Sequence, residues 1–271
     1  MKIALPFAKN ASAASRERTL RAVAALGALL LAACGNNTTQ VSAANAEGLV
    51  TAGKSALQAA TLSDAEVVQL SERSCAEVDA SSKIAAPKSK YALRLAKIVK
   101  GMPKEVNGVS INYKVYETKE LNAWAMNNGC VRIYSGLMDL MKDDEVRGVV
   151  GHEIGHVALG HSKKAMQVAY AAGAARQVAA ASGNSAVAAL SSSDIGAIAE
   201  KLVNAQFSQA QESAADDYAF DLLTAAKLKR EGLVTAFEKL AKQGDNSSML
   251  SSHPSSSDRA QRMRERIAAK K

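Results

Sequence analysis

Residues 142–162, KDDEVRGVVGHEIGHVALGHS, are the stretch on which the rest of the chain turns. They read as one amphipathic helix carrying His-Glu-x-x-His at His152, Glu153 and His156. Histidines four apart share a helical face one turn from each other, so both imidazoles can reach a single metal ion. The glutamate beside the first histidine projects next to that ion, placed to take a proton from a water activated there. Four histidines occur in the chain, His152, His156, His161 and His253, and two of them fall in this pattern.

A catalytic zinc centre wants three protein ligands and an open position. A third histidine six residues beyond the second would serve, but that position is Ser162. His161 sits one residue earlier, about 140° around the helix from His156. It therefore reads as a C-terminal helix residue interacting with the last carbonyls rather than as a ligand. The other source is a glutamate on a later helix. Residues 209–220, QAQESAADDYAF, put Glu212 and Asp216 on one helical face. Glu212 would give a carboxylate oxygen to the metal, and Asp216 would accept the free ring N–H of a ligating histidine and fix its tautomer. Alone, this stretch reads as a solvated acidic face, with Asp217 and Asp221 nearby; beside the first motif, the ligand reading prevails.

Between these features the pattern alternates between helix and strand. Ser63-x-x-Glu66 is a capping box opening a helix to about Val78, and residues 89–100 form another that stops at Gly101, with Pro103 beyond. Val109, Ile111, Tyr113 and Val115 alternate with polar neighbours as one strand. Residues 122–125 and 130–134 are two short strands joined at Asn127-Asn128-Gly129, which favours a hairpin. Gly136 and Leu137 open a short helix leading into the metal-motif helix. The edge at Asn122, Ala123 and Trp124 can pair with an extended peptide by strand addition, or the sheet only packs the domain. Residues 163–192 are rich in Ala, Ser and Gly, with Gly183-Asn184-Ser185 breaking two helical stretches. Lys163, Lys164 and Arg176 favour soluble helices there over a membrane hairpin. The expected class is α+β, predominantly α-helical, with a small antiparallel sheet beside the His-Glu-x-x-His helix.

The N-terminus describes export. Basic residues precede the short apolar run from Val23 to Leu31, the layout of a signal peptide and too short to span a bilayer. Leu31-Ala32-Ala33-Cys34 resembles the lipobox of bacterial lipoproteins, in which the cysteine becomes lipidated. The rival is an ordinary signal peptide that contains a cysteine. With Gly35 in place of aspartate, nothing resembles an inner-membrane retention signal, so the expected address is the outer membrane of a Gram-negative cell, facing the periplasm. The expected organisation is a signal peptide at 1–33, a lipid-anchored tether at 34–60, and a domain carrying the metal motif, with a basic C-terminal helix, at 61–271.

Of the formal charge of +8, about +4 belongs to residues 1–33. Much of the remainder lies around Arg259, Arg262, Arg264, Arg266, Lys270 and Lys271. Without interleaved aromatics this reads as a solvated helix face, near anionic headgroups at most, and no nucleic acid partner is expected. With Cys34 lipidated, Cys75 and Cys130 remain in an oxidising compartment, where they form a disulfide or stay as buried thiols.

The motifs together resemble the HtpX-like gluzincin metallopeptidases, above all their soluble, periplasm-facing lipoprotein branch. The matching residues are Asn122-Ala123-Trp124-Ala125, Gly136-Leu137, Asp144-Glu145 ahead of Gly151-His-Glu-Ile-Gly-His156, and Glu212-x-x-Ala215-Asp216. The resemblance runs from about Ser63 to Arg259 and implies a zincin-type endopeptidase, mainly helical, with one Zn²⁺ per chain and a substrate-binding sheet edge. It also implies that His253, before Pro254, and Arg259 lie at the active site. There Arg259 would stabilise the oxyanion, and His253 would assist it or fill the open metal position in a self-inhibited state. Membrane-embedded relatives carry transmembrane helices that have no counterpart here, so their intramembrane substrates do not transfer. The expected substrates are misfolded or misassembled envelope proteins, with envelope assembly machinery a possible partner. The rival function is a chaperone-like or assembly-binding lipoprotein with a latent zinc site.

Overall fold

The computed structural model describes residues 62–174, 190–243, 249, 252–253 and 256–269. The signal segment, Cys34, the tether up to residue 60 and the break at residues 183–185 lie outside the described residues.

Helix α1 (Asp64–Ser81) opens on the reciprocal capping box that Ser63 and Glu66 announce: Ser63 N donates to Glu66 Oε2 (2.8 Å) and Glu66 N to Ser63 Oγ (3.3 Å). Helix α2 (Lys90–Ile98) is capped by Ser89, whose Oγ accepts from Ala92 N. Strands β1 (Glu105–Val106) and β2 (Val109–Ser110) form a small antiparallel hairpin. Its turn is Asn107-Gly108, both at positive φ (52° and 81°), the pair a two-residue I′ turn requires. The alternation from Val109 to Tyr116 is therefore not one strand. Val109–Ser110 turns back on β1, and β3 (Asn112–Tyr116) starts afresh.

Strand β4 (Ala123–Ala125) and β5 (Cys130–Tyr134) form the expected hairpin, with Ala123 opposite Ile133 and Ala125 opposite Val131. β3 lies on the other side of β5 and runs parallel to it, Asn112 opposite Cys130 and Tyr116 opposite Tyr134. The sheet is thus mixed, in the order β3-β5-β4, rather than wholly antiparallel. Local patterning determines which residues are strands but not which side of β5 the incoming β3 takes. As the central strand, β5 is buried along its length, including Arg132.

Arg132 is compensated within the protein. Its Nε and Nη2 fork onto Asp79 of α1 (2.8 and 2.9 Å), Nη1 donates to Asn112 O, and Lys114 and Tyr116 also reach Asp79. Burial opposes ionisation of Asp79, and the Arg132, Lys114 and Tyr116 hydrogen bonds overcome it, holding the carboxyl well below its usual range. Beside this network a Cys75–Cys130 disulfide, Cα atoms 6.5 Å apart, ties α1 to β5.

Helix α3 (Ser135–Leu140) leads into α4 (Asp143–Ala158), the motif helix. From Gly148 to Val157 every residue of α4 is buried. That burial follows from α4 lying between the sheet and two later helices, α7 (Gln209–Ala225) and α8 (Glu231–Ala241). Helices α5 (His161–Ala174) and α6 (Ser192–Val203) pack with α1 around a separate apolar cluster that includes Leu70, Met166, Tyr170 and Ile198. The basic helix α9 (Ser256–Ala269) buries Ala260, Met263 and Ile267. Arg262 pairs with Asp217, Arg266 with Asp217 and Asp221, and Arg264 with Glu238. Much of the basic C-terminal face is therefore an ion-pair ladder against α7 and α8. The acidic residues that read as a solvated face of α7 are its partners.

Candidate metal centre

The 3.6-residue period of α4 brings His152 and His156 to one face, with their Nε2 atoms 3.1 Å apart. Glu212 reaches them because α7 can come close. On α4, Gly151 faces Ala219 and Gly155 faces Ala215, where a Cβ on Gly155 would stand only 2.9 Å from Ala215 O. Glu212, three residues before Ala215, then places Oε1 3.2 Å from His156 Nε2 and Oε2 3.5 Å from His152 Nε2. His253 adds Nδ1 at 3.2 Å from His152 Nε2 and 2.9 Å from Glu212 Oε1. All four residues are buried, and their donor atoms lie within 4.8 Å of one another.

These spacings fit a metal. A tetrahedral ion with bonds of 2.0–2.1 Å separates its ligand atoms by about 3.3 Å, and the donor separations above scatter around that value. Burial pushes the His156 pKa well below its ordinary value, which keeps the ring neutral with a lone pair to offer. Burial opposes ionisation of Glu212, but the surrounding His152, His156 and His253 rings overcome it and hold the carboxyl well below its usual range.

Behind the donors, His152 Nδ1 is 2.9 Å from Asp216 Oδ1, which leaves Nε2 free for the ion. Asp216 is gripped by Arg259, with Nε on Oδ2 (2.9 Å) and Nη2 on Oδ1 (2.7 Å), while Nη1 lies 2.6 Å from Glu212 Oε2. Burial would raise Asp216; the Arg259 charge holds it at about 2. The Arg259 guanidinium in turn rests 4.1 Å from the Phe237 ring centroid. Glu153 is buried beside the donors, its Oε1 3.5 Å from His253 Nε2 and, among the described residues, without a hydrogen-bond partner. Burial raises its pKa above the usual carboxylate range.

Residues 89–267 match the model of Peptidase family M48, most of the domain described above. The chain belongs to peptidase family M48. It is similar to metalloprotease LoiP of Escherichia coli (strain K12), 52% identical over 227 residues, which cover 83% of this chain and 90% of that protein. Metalloprotease YcaL of the same strain is 51% identical over 225 residues, 82% of this chain and 88% of that one. A shorter match joins it to protease HtpX of Pseudomonas fluorescens (strain Pf0-1), 33% identical over 81 residues, 28% of each chain. This chain is a metalloprotease, and the His152, His156, Glu212 and His253 cluster is where its metal would be held.

Within this M48 peptidase, the residues singled out in the sequence fall in two groups. Glu153, His152, His156, Glu212, Asp216, His253 and Arg259 converge on the centre. Asn122, Ala123 and Trp124 lie on β4 and just before it, at the sheet edge against α4, but the Trp124 ring is buried with Tyr116 and Tyr134 in the cluster around the disulfide. His161 differs from expectation. The motif helix ends at Ala158, the chain reverses at Gly160 (φ +75°), and His161 begins α5 with Nδ1 3.1 Å from His156 Nδ1. A glycine directly before His161 was the available signal that the helix would not continue. Phe207, stacked on His156 at 3.9 Å between centroids, carried no sequence signal. No helix among the described residues is long and apolar enough to cross a membrane.

Proposed function

We propose that this M48 metalloprotease is a zinc-dependent endopeptidase, held by a lipid on Cys34 at the periplasmic side of the outer membrane, that hydrolyses misfolded or misassembled envelope proteins. The observation that carries the catalytic part is the convergence of His152, His156 and Glu212 at tetrahedral spacing with Glu153 beside them. Two imidazoles and a carboxylate suit Zn²⁺, one ion per chain. When bound, zinc acidifies water and polarises a peptide carbonyl. Glu153 takes the proton and passes it to the leaving amine; its burial, its raised pKa and its unpartnered Oε1 suit that exchange. Asp216 fixes the tautomer of His152, and Arg259 anchors both Asp216 and Glu212. Those contacts engage the guanidinium behind the donors, which supports a positioning role for Arg259 over direct oxyanion binding.

Substrate would add to the free edge of β4. Tyr134 N donates to Asn122 O, and Met126 N to Cys130 O, so the backbones of Asn122 and Met126 face β5 and those of Ala123 and Ala125 face away. Ala123 N already donates to Asn122 Oδ1, and Ala125 O accepts from Ser162 Oγ. Among the described residues, Ala123 O and Ala125 N remain for an extended peptide. On the same side, Met249 N donates to Leu121 O, and four residues on His253 completes the donor tetrahedron. This supports a resting arrangement in which Met249 and His253 restrain the centre and must move before substrate binds.

The rival reading, a binding protein with a sealed zinc site, draws on that same His253 contact, and one experiment divides the two. His253→Ala should raise casein cleavage if the peptidase is self-restrained, and Glu153→Gln in that background should abolish cleavage while zinc remains bound. Cleavage retained by a zinc-loaded Glu153→Gln protein would overturn the role of Glu153. No cleavage by wild type or His253→Ala would favour the binding protein. The anchor rests on the residues around Cys34. Metabolic labelling with palmitate should mark the wild-type chain and leave Cys34→Ala unlabelled, and an unlabelled wild type would refute it.

A further inference from the structure

The structure assigns His161 as a positioning residue of the metal centre: its Nδ1 accepts the proton on His156 Nδ1, fixes that ring's tautomer and turns Nε2 toward the ion. The inference rests on the reading that His156 is a ligand.

If His156 offers Nε2 to a metal, its proton must sit on Nδ1, and a buried N–H needs an acceptor. The hydrogen-bond partner of that atom is His161 Nδ1, at 3.1 Å. His161 must then be neutral with its own proton on Nε2. The two rings meet edge to face, centroids 5.1 Å apart at 63°. This contact exists only because α4 stops at Ala158. On a continuous helix the side chains of His156 and His161 would point about 140° apart. Gly160, at φ +75°, reverses the chain instead, and a Cβ added there would meet nothing within 4 Å, so backbone conformation rather than packing is what the site demands. Next along, Ser162 Oγ donates to Ala125 O, tying the start of α5 to β4 and holding His161 in place. Phe207 covers a face of the His156 ring, leaving in-plane rotation to be controlled by the Nδ1 contact.

The two histidine ligands are thus steadied differently. His152 leans on Asp216, whose charge Arg259 offsets, while His156 leans on a neutral imidazole. Neither arrangement adds net negative charge behind the donors, which leaves the ion's charge free to act on water and substrate.

The test compares His161→Phe, which keeps a ring and removes the acceptor, with His161→Asn, whose Oδ1 can stand where Nδ1 stood. Zinc affinity of the full chain is read by competition with a chromophoric chelator, alongside thermal melting of the metal-free protein. Losing such an outer partner weakens metal binding about 10- to 100-fold. His161→Phe should fall in that range, His161→Asn should stay within a few-fold of wild type, and metal-free melting should be the same for all three. Wild-type affinity in His161→Phe, or a His161→Asn protein no better than His161→Phe, overturns the assignment. If His161→Phe fails to fold, His161→Ala is read by the same criteria. His156→Ala is the control for the underlying reading: wild-type zinc affinity there would mean that His156 is not a ligand, a failure distinct from failure of the His161 role.

Discussion

Gly155 lies where α4 and α7 come closest, and replacing it with alanine should harm the metal centre more than the fold. The added Cβ would stand 2.9 Å from Ala215 O, 3.1 Å from Ala215 Cα and 3.3 Å from Tyr218 Cβ. Two of these atoms are backbone and cannot rotate away. Reaching an ordinary separation near 3.5 Å requires α7 to retreat by about 0.5 Å. Glu212 is one turn from Ala215 and moves with it, stretching the 3.2 Å spacing to His156 Nε2. A shift of about 0.5 Å exceeds the roughly 0.2 Å tolerance of metal–ligand distances. Overpacking costs about 1–3 kcal/mol, and replacing a mid-helix glycine with alanine returns about 1 kcal/mol. Net destabilisation should therefore be about 0–2 kcal/mol, while zinc affinity drops at least tenfold. Gly151→Ala is the internal comparison. Its Cβ would meet Ala219 Cβ at 3.4 Å, an ordinary contact, so both quantities should stay near wild type. Chelator competition and urea unfolding of the metal-free proteins measure the two effects. Gly155→Ala binding zinc as tightly as Gly151→Ala would refute the view that this contact places Glu212.

Other outcomes follow from the same structure. Asp79→Asn leaves buried Arg132 without its carboxylate and should cost about 3 kcal/mol at neutral pH. Because the folded-state pKa of Asp79 is depressed from 3.8, its contribution is present above that value and lost as pH falls below it, so the variant's stability should change less on acidification in urea unfolding. Reducing the Cys75–Cys130 bond, which closes a 55-residue separation, should lower stability by up to about 4 kcal/mol, seen as a lower unfolding midpoint with reductant. Stripping zinc with a chelator, from a starting free concentration of about 100 times Kd, should remove about 2.7 kcal/mol and lower Tm by roughly 5–10 °C. An unchanged Tm would argue that the donors hold no metal.

Most of the metal centre was legible in local pattern. Helical spacing alone pairs His152 with His156 and Glu212 with Asp216, because each pair lies within one turn and the helix period is fixed by backbone hydrogen bonding. The capping box at Ser63 marks a helix start for the same local reason. Resemblance to a family was needed for His253 and Arg259, which sit about a hundred residues from the motif and carry no periodic signature.

The placement of distant segments had no such local code. β3 pairs parallel to β5 because the chain from 117 to 122 crosses to the far side of the central strand, a choice that the alternation within each strand does not record. The basic C-terminus looked like a free surface until α7 supplied Asp217 and Asp221 as partners. His161 is the clearest case. Counted along an unbroken helix it faces away from His156, and the reversal at Gly160 brings the two rings together. Residue types and their spacing already contained the metal chemistry, since a ligand pair on one helix is set by geometry within a turn. What steadies those ligands depends on packing between α4, α5, α7 and α9, where close approach across segments far apart in sequence decides which side chains meet.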